Sequence, residues 1–218
     1  MSSHFAIAID GPAASGKSTL ARELARRLGL VMVNSGAMYR AVTWRLIEDG
    51  VDLSNETAVV SALEAMEIDC GVDGLSSTVS IDGVDPGEAL RSEQVNGKVS
   101  QVSAVPAVRE RLVALQRDYL KTADVVMEGR DIGTVVFPDS PYKIYVDADE
   151  AVRAQRRVAI GEVDSVADRD RDDSQRKTAP LKVAEGAVIL DTSDHTIESG
   201  VDAALEILRS QGLEIREI

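Results

Sequence analysis

The sequence predicts an α/β fold, with a parallel central sheet carrying helices on both faces. Three observations predict it. Short strand candidates, apolar but for Lys143, recur at 5–9, 31–33, 125–127, 143–146 and 188–190. Longer segments with helical periodicity separate them, and strands alternating with helices favour a parallel sheet. A glycine-rich loop of the pattern G-x-x-x-x-G-K-[ST] follows the first run directly, at Gly11-Pro-Ala-Ala-Ser-Gly-Lys-Ser18. That strand–loop–helix context is what a phosphate-binding loop requires.

Phe5-Ala-Ile-Ala-Ile9 reads as a buried strand, and Leu20, Leu24, Ala25 and Leu28 set the apolar face of the helix after the loop. Val31–Val33 is the second strand. Helices are expected over Ala37–Glu48, Glu56–Met66 and Pro106–Leu120, with strands at Val125–Met127 and Lys143–Val146. A helix over Glu150–Ile160, a strand over Val188–Leu190 and a helix over Ile197–Arg209 complete the set. Residues 68–91 break the alternation. Ile68–Val72 and Thr78–Ile81 look like short strands, and Asp73-Gly74 and Asp82-Gly83 are hairpin turn dipeptides. A small β-rich insert is expected there. Residues 161–178 form a second irregular, strongly charged stretch.

Composition narrows the function. The chain has 218 residues, 44% hydrophobic and 28% charged, with net charge −13. So acidic a chain argues against a DNA or RNA polymer as partner. One cysteine, Cys70, permits no intrachain disulfide. His4–Ile9 is too short for the apolar core of a secretory leader. No apolar run approaches the roughly 18 residues of a membrane span. The expected compartment is the cytoplasm, with no membrane partner. No helix shows a heptad seam, and a monomer is expected.

The glycine-rich loop itself implies nucleotide binding. Gly11 and Gly16 let the backbone turn its N–H groups inward, where they and the helix N-terminus meet phosphate oxygens. Lys17 is expected to reach the β- and γ-phosphates, and Ser18 to ligate Mg²⁺. The base-reading N-K-x-D and the D-x-x-G of GTP switches are both missing from the sequence. Asn34-Ser-Gly36 and Glu128-Gly-Arg-Asp131 each follow a strand, so with the loop they should converge on one crevice at the strand ends. The cations are 18 arginines and six lysines. Arg40 lies just after the second strand's loop, and Arg109 and Arg111 lie on the helix beginning near Pro106. Arg130 stands in the crevice loop after the strand 125–127, and Arg153, Arg156 and Arg157 share a helix face. Arginine forks suit phosphate, so a second anionic substrate is expected. Asp10 and Glu128, flanking the crevice, are each candidates to hold a Mg²⁺-bound water.

With these motifs the chain resembles bacterial cytidylate kinases, members of the nucleoside monophosphate kinase group of P-loop proteins. The resemblance runs over almost the whole chain: Ile9–Ser18, Ser35-Gly-Ala-Met-Tyr-Arg40, Ser100–Arg109, Glu128–Pro138, Arg169-Asp-x-x-Asp173-x-x-Arg176, Ala179-Pro-Leu181 and Leu190-Asp-Thr-Ser193. Glu128 stands where the family commonly has Asp. The resemblance implies a P-loop core over 1–34 and 104–218 and a monophosphate-binding region over 35–103, with its insert at about 68–91. It also implies a short mobile lid at about 157–169, since only eleven residues separate Arg157 from Arg169.

The implied reaction is transfer of the γ-phosphate of ATP to CMP or dCMP, with Mg²⁺. By carry-over, ATP lies on Gly11, Pro12, Ala13, Ala14, Ser15, Gly16, Lys17, Ser18 and Thr19. Ser100, Arg109 and Asp131 would read the cytosine, whose amino group donates and whose N3 and O2 accept. Tyr39 and Asp173 would hold the ribose, with Arg169 nearby. Arg40, Arg130 and Arg176 would grip the CMP phosphate, and Ser35 lines the same site. Lys17, Arg130, Arg153 and Arg157 are the expected catalytic residues. Such transfer needs alignment and charge neutralisation rather than a protein nucleophile, so His4 and His195 are expected to take no part. A P-loop kinase for shikimate, gluconate or another nucleotide would leave the cytosine-reading set unexplained. A non-catalytic ATP-binding module would need no second set of arginines.

Overall fold

A computed structural model describes residues 4–159 and 179–214. Among them, a seven-stranded sheet runs through the molecule in the order β3-β4-β2-β5-β1-β6-β7. Its strands are β1 (Ala6–Asp10), β2 (Val31–Asn34), β3 (Ile68–Asp73), β4 (Ser76–Ile81), β5 (Val125–Gly129), β6 (Tyr142–Asp147) and β7 (Val188–Asp191). All neighbours pair in parallel except β3 and β4.

β1 and β5 are buried along their whole length, as apolar runs without polar alternation require. The period of two then divides their side chains between faces. Ile7, Ile9 and Val126 pack with α1 (Lys17–Leu28) and α7 (Ile197–Ser210). Ala6, Ala8, Val125 and Met127 pack with α5 (Pro106–Asp118) and the short π-helical turn Ile132–Val136 on the other side. A further apolar cluster joins α2 (Ser35–Glu48), α3 (Glu56–Ala65), α4 (Glu93–Ser103) and α5 with β3 and β4.

Local chemistry sets the helix ends. The Asn34 side chain accepts from the Ala37 N–H at 3.0 Å and caps α2. Asn55 does the same for α3 through Ala58 at 3.2 Å. Pro106 sits in the first turn of α5, where no amide is needed. Gly29, in the left-handed conformation at φ 65°, ends α1.

The expected hairpin forms, and it extends the central sheet. The Leu75 carbonyl accepts from the Met32 N–H at 2.8 Å, so β4 continues the sheet beyond β2. Three elements have no counterpart in the sequence expectations: a 3₁₀ turn at Gly87–Arg91, α4 and the π-helical turn. α6 (Glu150–Ala159) is the last described element before residue 160. Most of the expected lid, and Arg169, Asp173 and Arg176 with it, lie outside the described residues.

Candidate active site

β5 lies between β1 and β2, with Asp10 opposite Gly129 and Asn34 opposite Glu128. The C-terminal ends of the three strands therefore lie side by side. The loop 11–16, the start of α2 and the loop Arg130-Asp131 all leave from there.

The glycine-rich loop is held by its surroundings. A Cβ on Gly11 would lie 2.0 Å from the Val146 carbonyl oxygen, so only glycine fits there. Gly16, at φ 87°, precedes the first turn of α1. Lys17, 5% exposed, donates from Nζ to the Pro12 carbonyl at 2.9 Å and so lies back over the loop. Ser18 Oγ donates to Glu128 Oε1 at 2.9 Å. Ser15 Oγ is buried and has no hydrogen-bond partner among the described residues. Thr19 follows Ser18 in the first turn of α1.

Asp10 does something different from Glu128. Its two carboxylate oxygens accept from the N–H groups of Ile132 and Gly133, each at 2.7 Å. It thereby ties the end of β1 to the turn just beyond Asp131. Burial raises its carboxyl to about 6, and the Asp131 charge adds to this, against the two N–H donors and Lys17. With both its oxygens engaged by the backbone, Asp10 is an anchor. The carboxylate beside the Ser18 hydroxyl is Glu128.

On the other side of β5, Ser35 Oγ donates to the Glu128 carbonyl at 2.8 Å. A Cβ on Gly129 would lie 2.5 Å from that hydroxyl oxygen. Arg109 and Asp131, 4% and 5% exposed, form an ion pair. The Arg109 guanidinium also lies 5.6 Å from the centre of the Tyr39 ring and donates to the Ser103 carbonyl at 3.3 Å. One side chain thus joins α5 to α2, to the end of α4 and to the loop after β5. Ser100 lies on that last stretch of α4, its carbonyl accepting from Ser103 Oγ at 3.1 Å. Arg40 follows Tyr39 on α2, half-buried. Arg130 is half-buried and donates to its neighbour's carbonyl, at Gly129, at 3.4 Å.

Arg153 and Arg157 occupy the buried face of α6. Arg153 donates to the Ala148 carbonyl at 2.9 Å and to the Ala13 carbonyl of the loop at 3.4 Å. Arg111, about half a turn beyond Arg109 on α5, is engaged elsewhere. Its guanidinium donates to the Leu63 and Met66 carbonyls at the end of α3, the latter at 2.6 Å. His4 pairs with Asp124 at 3.1 Å, and His195 Nδ1 lies 3.0 Å from Ser199 Oγ at the start of α7.

The anchoring role of Asp10 depends on a turn the sequence does not announce. Thr192, directly after β7 and against the loop, is not among the predicted site residues. Its signal was positional, because it follows a strand end on the same edge of the sheet.

The chain is similar to known proteins over nearly its whole length. Residues 7–210 match a family model described as cytidylate kinase. A cytidylate kinase of Streptomyces avermitilis is 40% identical over 94% of this chain and 93% of its own. One of Caldanaerobacter subterraneus subsp. tengcongensis is 42% identical over 93% of this chain and 94% of its own. Among solved structures, a gluconokinase from Sinorhizobium meliloti 1021 is 14% identical, with a TM-score of 0.50, covering 94% of this chain and 92% of that one. That last likeness bears on the fold alone.

Proposed function

Because the chain belongs to the cytidylate kinase family, and so is an ATP-dependent kinase of CMP and dCMP, we propose that donor and acceptor meet across the end of β5. ATP lies on residues 11–19, and the acceptor on Ser35, Tyr39, Arg40, Ser100, Arg109, Arg130 and Asp131, with Arg169, Asp173 and Arg176. The observation that carries this reading is the buried Arg109–Asp131 pair beside Tyr39. A buried ion pair is a poor source of stability. It presents a carboxylate acceptor and a guanidinium donor side by side, which matches the amino group and the N3 and O2 acceptors of cytosine.

Lys17 offsets charge on the transferred phosphoryl group, and Arg130 meets the acceptor phosphate. Arg153 and Arg157 bring two further cations to the donor side. The residues fit Mg²⁺: the Ser18 hydroxyl and the buried Glu128 carboxylate are hard oxygen donors. Ser18 would hold the ion directly and Glu128 through water, and the bound ion would neutralise charge on the β- and γ-phosphates. The protein's part is alignment of two nucleotides and exclusion of water as a competing acceptor.

In this reading residues 1–34 and 104–218 form the core, with a short lid at about 157–169, and 35–103 binds the monophosphate. The apolar cluster under α2, α3 and α4 also takes in α5, so the monophosphate-binding region packs on the core through that helix. No helix among the described residues is long and apolar enough to cross a membrane. In this reading the enzyme is a cytoplasmic monomer, and the net charge of −13 disfavours a nucleic-acid polymer as partner.

The test is ADP formation from Mg·ATP with CMP, dCMP, UMP or AMP, beside a control without acceptor. Rapid turnover with CMP and dCMP and little with UMP is the expected result. Equal turnover with UMP would remove the base-reading roles of Ser100, Arg109 and Asp131.

A further inference from the structure

Three carbonyls of the glycine-rich loop are tethered by side chains. Pro12 accepts from Lys17 Nζ at 2.9 Å, Ala13 from Arg153 Nη1 at 3.4 Å, and Ser15 from Thr192 Oγ1 at 2.8 Å. In a trans peptide the carbonyl and the following N–H point in opposite directions. Drawing the Ser15 carbonyl towards Thr192 therefore turns the Gly16 N–H the other way.

Thr192 is well placed to set that direction. Its own N–H donates to the Asp147 carbonyl at 2.8 Å, continuing the pairing of β7 with β6. It is 7% exposed, so its hydroxyl is positioned by the sheet. Arg156 grips it too, with Nη1 donating to Thr192 Oγ1 at 3.1 Å and Nη2 to the Thr192 carbonyl at 2.8 Å, and the same Nη1 would lie 3.5 Å from a Cβ on Gly16. A hydroxyl has one proton. With Arg156 donating into its lone pair, that proton goes to Ser15, whose carbonyl is nearer than that of Asp147 at 3.1 Å. The guanidinium charge also polarises the hydroxyl and strengthens the bond it gives.

We propose that Thr192 is a positioning residue of the phosphate-donor site: held by Arg156, its hydroxyl holds the Ser15 carbonyl outward and aims the Gly16 N–H at the phosphates of ATP. The proposal rests on the reading of residues 11–19 as the ATP site. It gives a role to the Asp191-Thr-Ser193 stretch at the end of β7 and to Arg156. A valine has the same branched shape but no proton to donate, so Thr192→Val isolates the hydroxyl.

The test compares Thr192→Val, Thr192→Ser and Arg156→Gln in the full chain, varying ATP and CMP separately. Losing one aligned donor is expected to raise the KM for ATP roughly threefold to tenfold in Thr192→Val, with kcat and the KM for CMP changed less than about twofold. Thr192→Ser should restore the parental value. A merely structural role would lower Tm without separating the two KM values. An unchanged KM for ATP, a parallel rise in both KM values, or failure of serine to rescue would each overturn the proposal. If Thr192→Val does not fold, Arg156→Gln, altering a half-buried side chain, decides on the same separation. Lys17→Ala tests the underlying reading: if it leaves ATP kinetics unchanged, residues 11–19 are not the ATP site. If it abolishes turnover while Thr192→Val behaves as the parent, only the role of Thr192 falls.

Discussion

Ser18 Oγ donates a 2.9 Å hydrogen bond to Glu128 Oε1, joining the first turn of α1 to the end of β5. The second residue of that helix thereby faces a carboxylate that is 4% exposed. A buried charge is retained at a cost in desolvation, and here it stands beside the hydroxyl proposed to hold Mg²⁺.

Glu128→Gln keeps the shape and removes the charge. Residues behind a metal ligand typically carry about tenfold to a hundredfold of metal affinity. The Mg²⁺ concentration giving half-maximal rate should rise by about that factor, with little change in Tm. A Mg²⁺ titration of the initial rate checks it, and an unchanged midpoint would place the ion elsewhere.

Asp131→Asn addresses the acceptor side. Hydrogen bonds to charged groups contribute about 1.5–3 kcal/mol, so kcat/KM for CMP should fall by roughly tenfold to a hundredfold. An amide can donate as well as accept, so discrimination against UMP should weaken in the same variant. Removing the partner also leaves Arg109 buried and uncompensated, which should cost about 3 kcal/mol or more of stability. Competitive assays with CMP and UMP, with a urea melt alongside, separate the two effects.

Much of this was legible in the sequence, for identifiable reasons. The strand at 125–127 is a short apolar run buried on both faces, and its length and β-branched valines separate it from a helix segment. The 11–18 loop carries its chemistry in consecutive residues. Harder to read were places where the polar pattern is local but the partner is distant. α4 has Gly97 inside it and a mostly polar sequence, so periodicity does not announce it; the Ser92 side chain caps it and contacts with α2 help to hold it. Asp10 finds its partners at Ile132 and Gly133, on a turn with no sequence signature. Arg111 looks like an anion ligand until the end of α3 is laid against it.

Arg111→Met should therefore separate stability from catalysis. The guanidinium donates to the Leu63 and Met66 carbonyls at the end of α3, where Leu63 also accepts from the Met66 N–H at 3.2 Å. Loss of a charged donor to them should lower unfolding free energy by about 1–3 kcal/mol. kcat and both KM values should stay within about twofold of the parent, because the substitution leaves the crevice intact. A loss of CMP affinity would return Arg111 to the site.

Gly11→Ala should abolish ATP binding without unfolding the chain. The added carbon would lie 2.0 Å from the Val146 carbonyl of a buried strand, which cannot yield, so the loop must move. A shift of about 1 Å costs on the order of a hundredfold in rate. Equilibrium binding of ATP, beside a circular dichroism melt, checks it. Unchanged affinity would mean that β6 has given way instead.

The pH dependence of stability tests Asp10. Burial chiefly, and the Asp131 charge next, raise its carboxyl from 3.8 to about 6, against the two N–H donors and Lys17. The native state thus holds this proton more tightly than the unfolded chain does. The resulting stabilisation is complete below the unfolded value and is lost as pH rises towards the native one. A difference of this size corresponds to about 3 kcal/mol between the two plateaus. Asp10→Asn is neutral throughout and cannot titrate, although it gives up one of the two N–H bonds and should be weaker at every pH. Urea unfolding from about pH 4 to about pH 7 should show the parent losing stability relative to Asp10→Asn as pH rises. Parallel profiles would mean that the two N–H donors outweigh burial and that Asp10 is already ionised across this range.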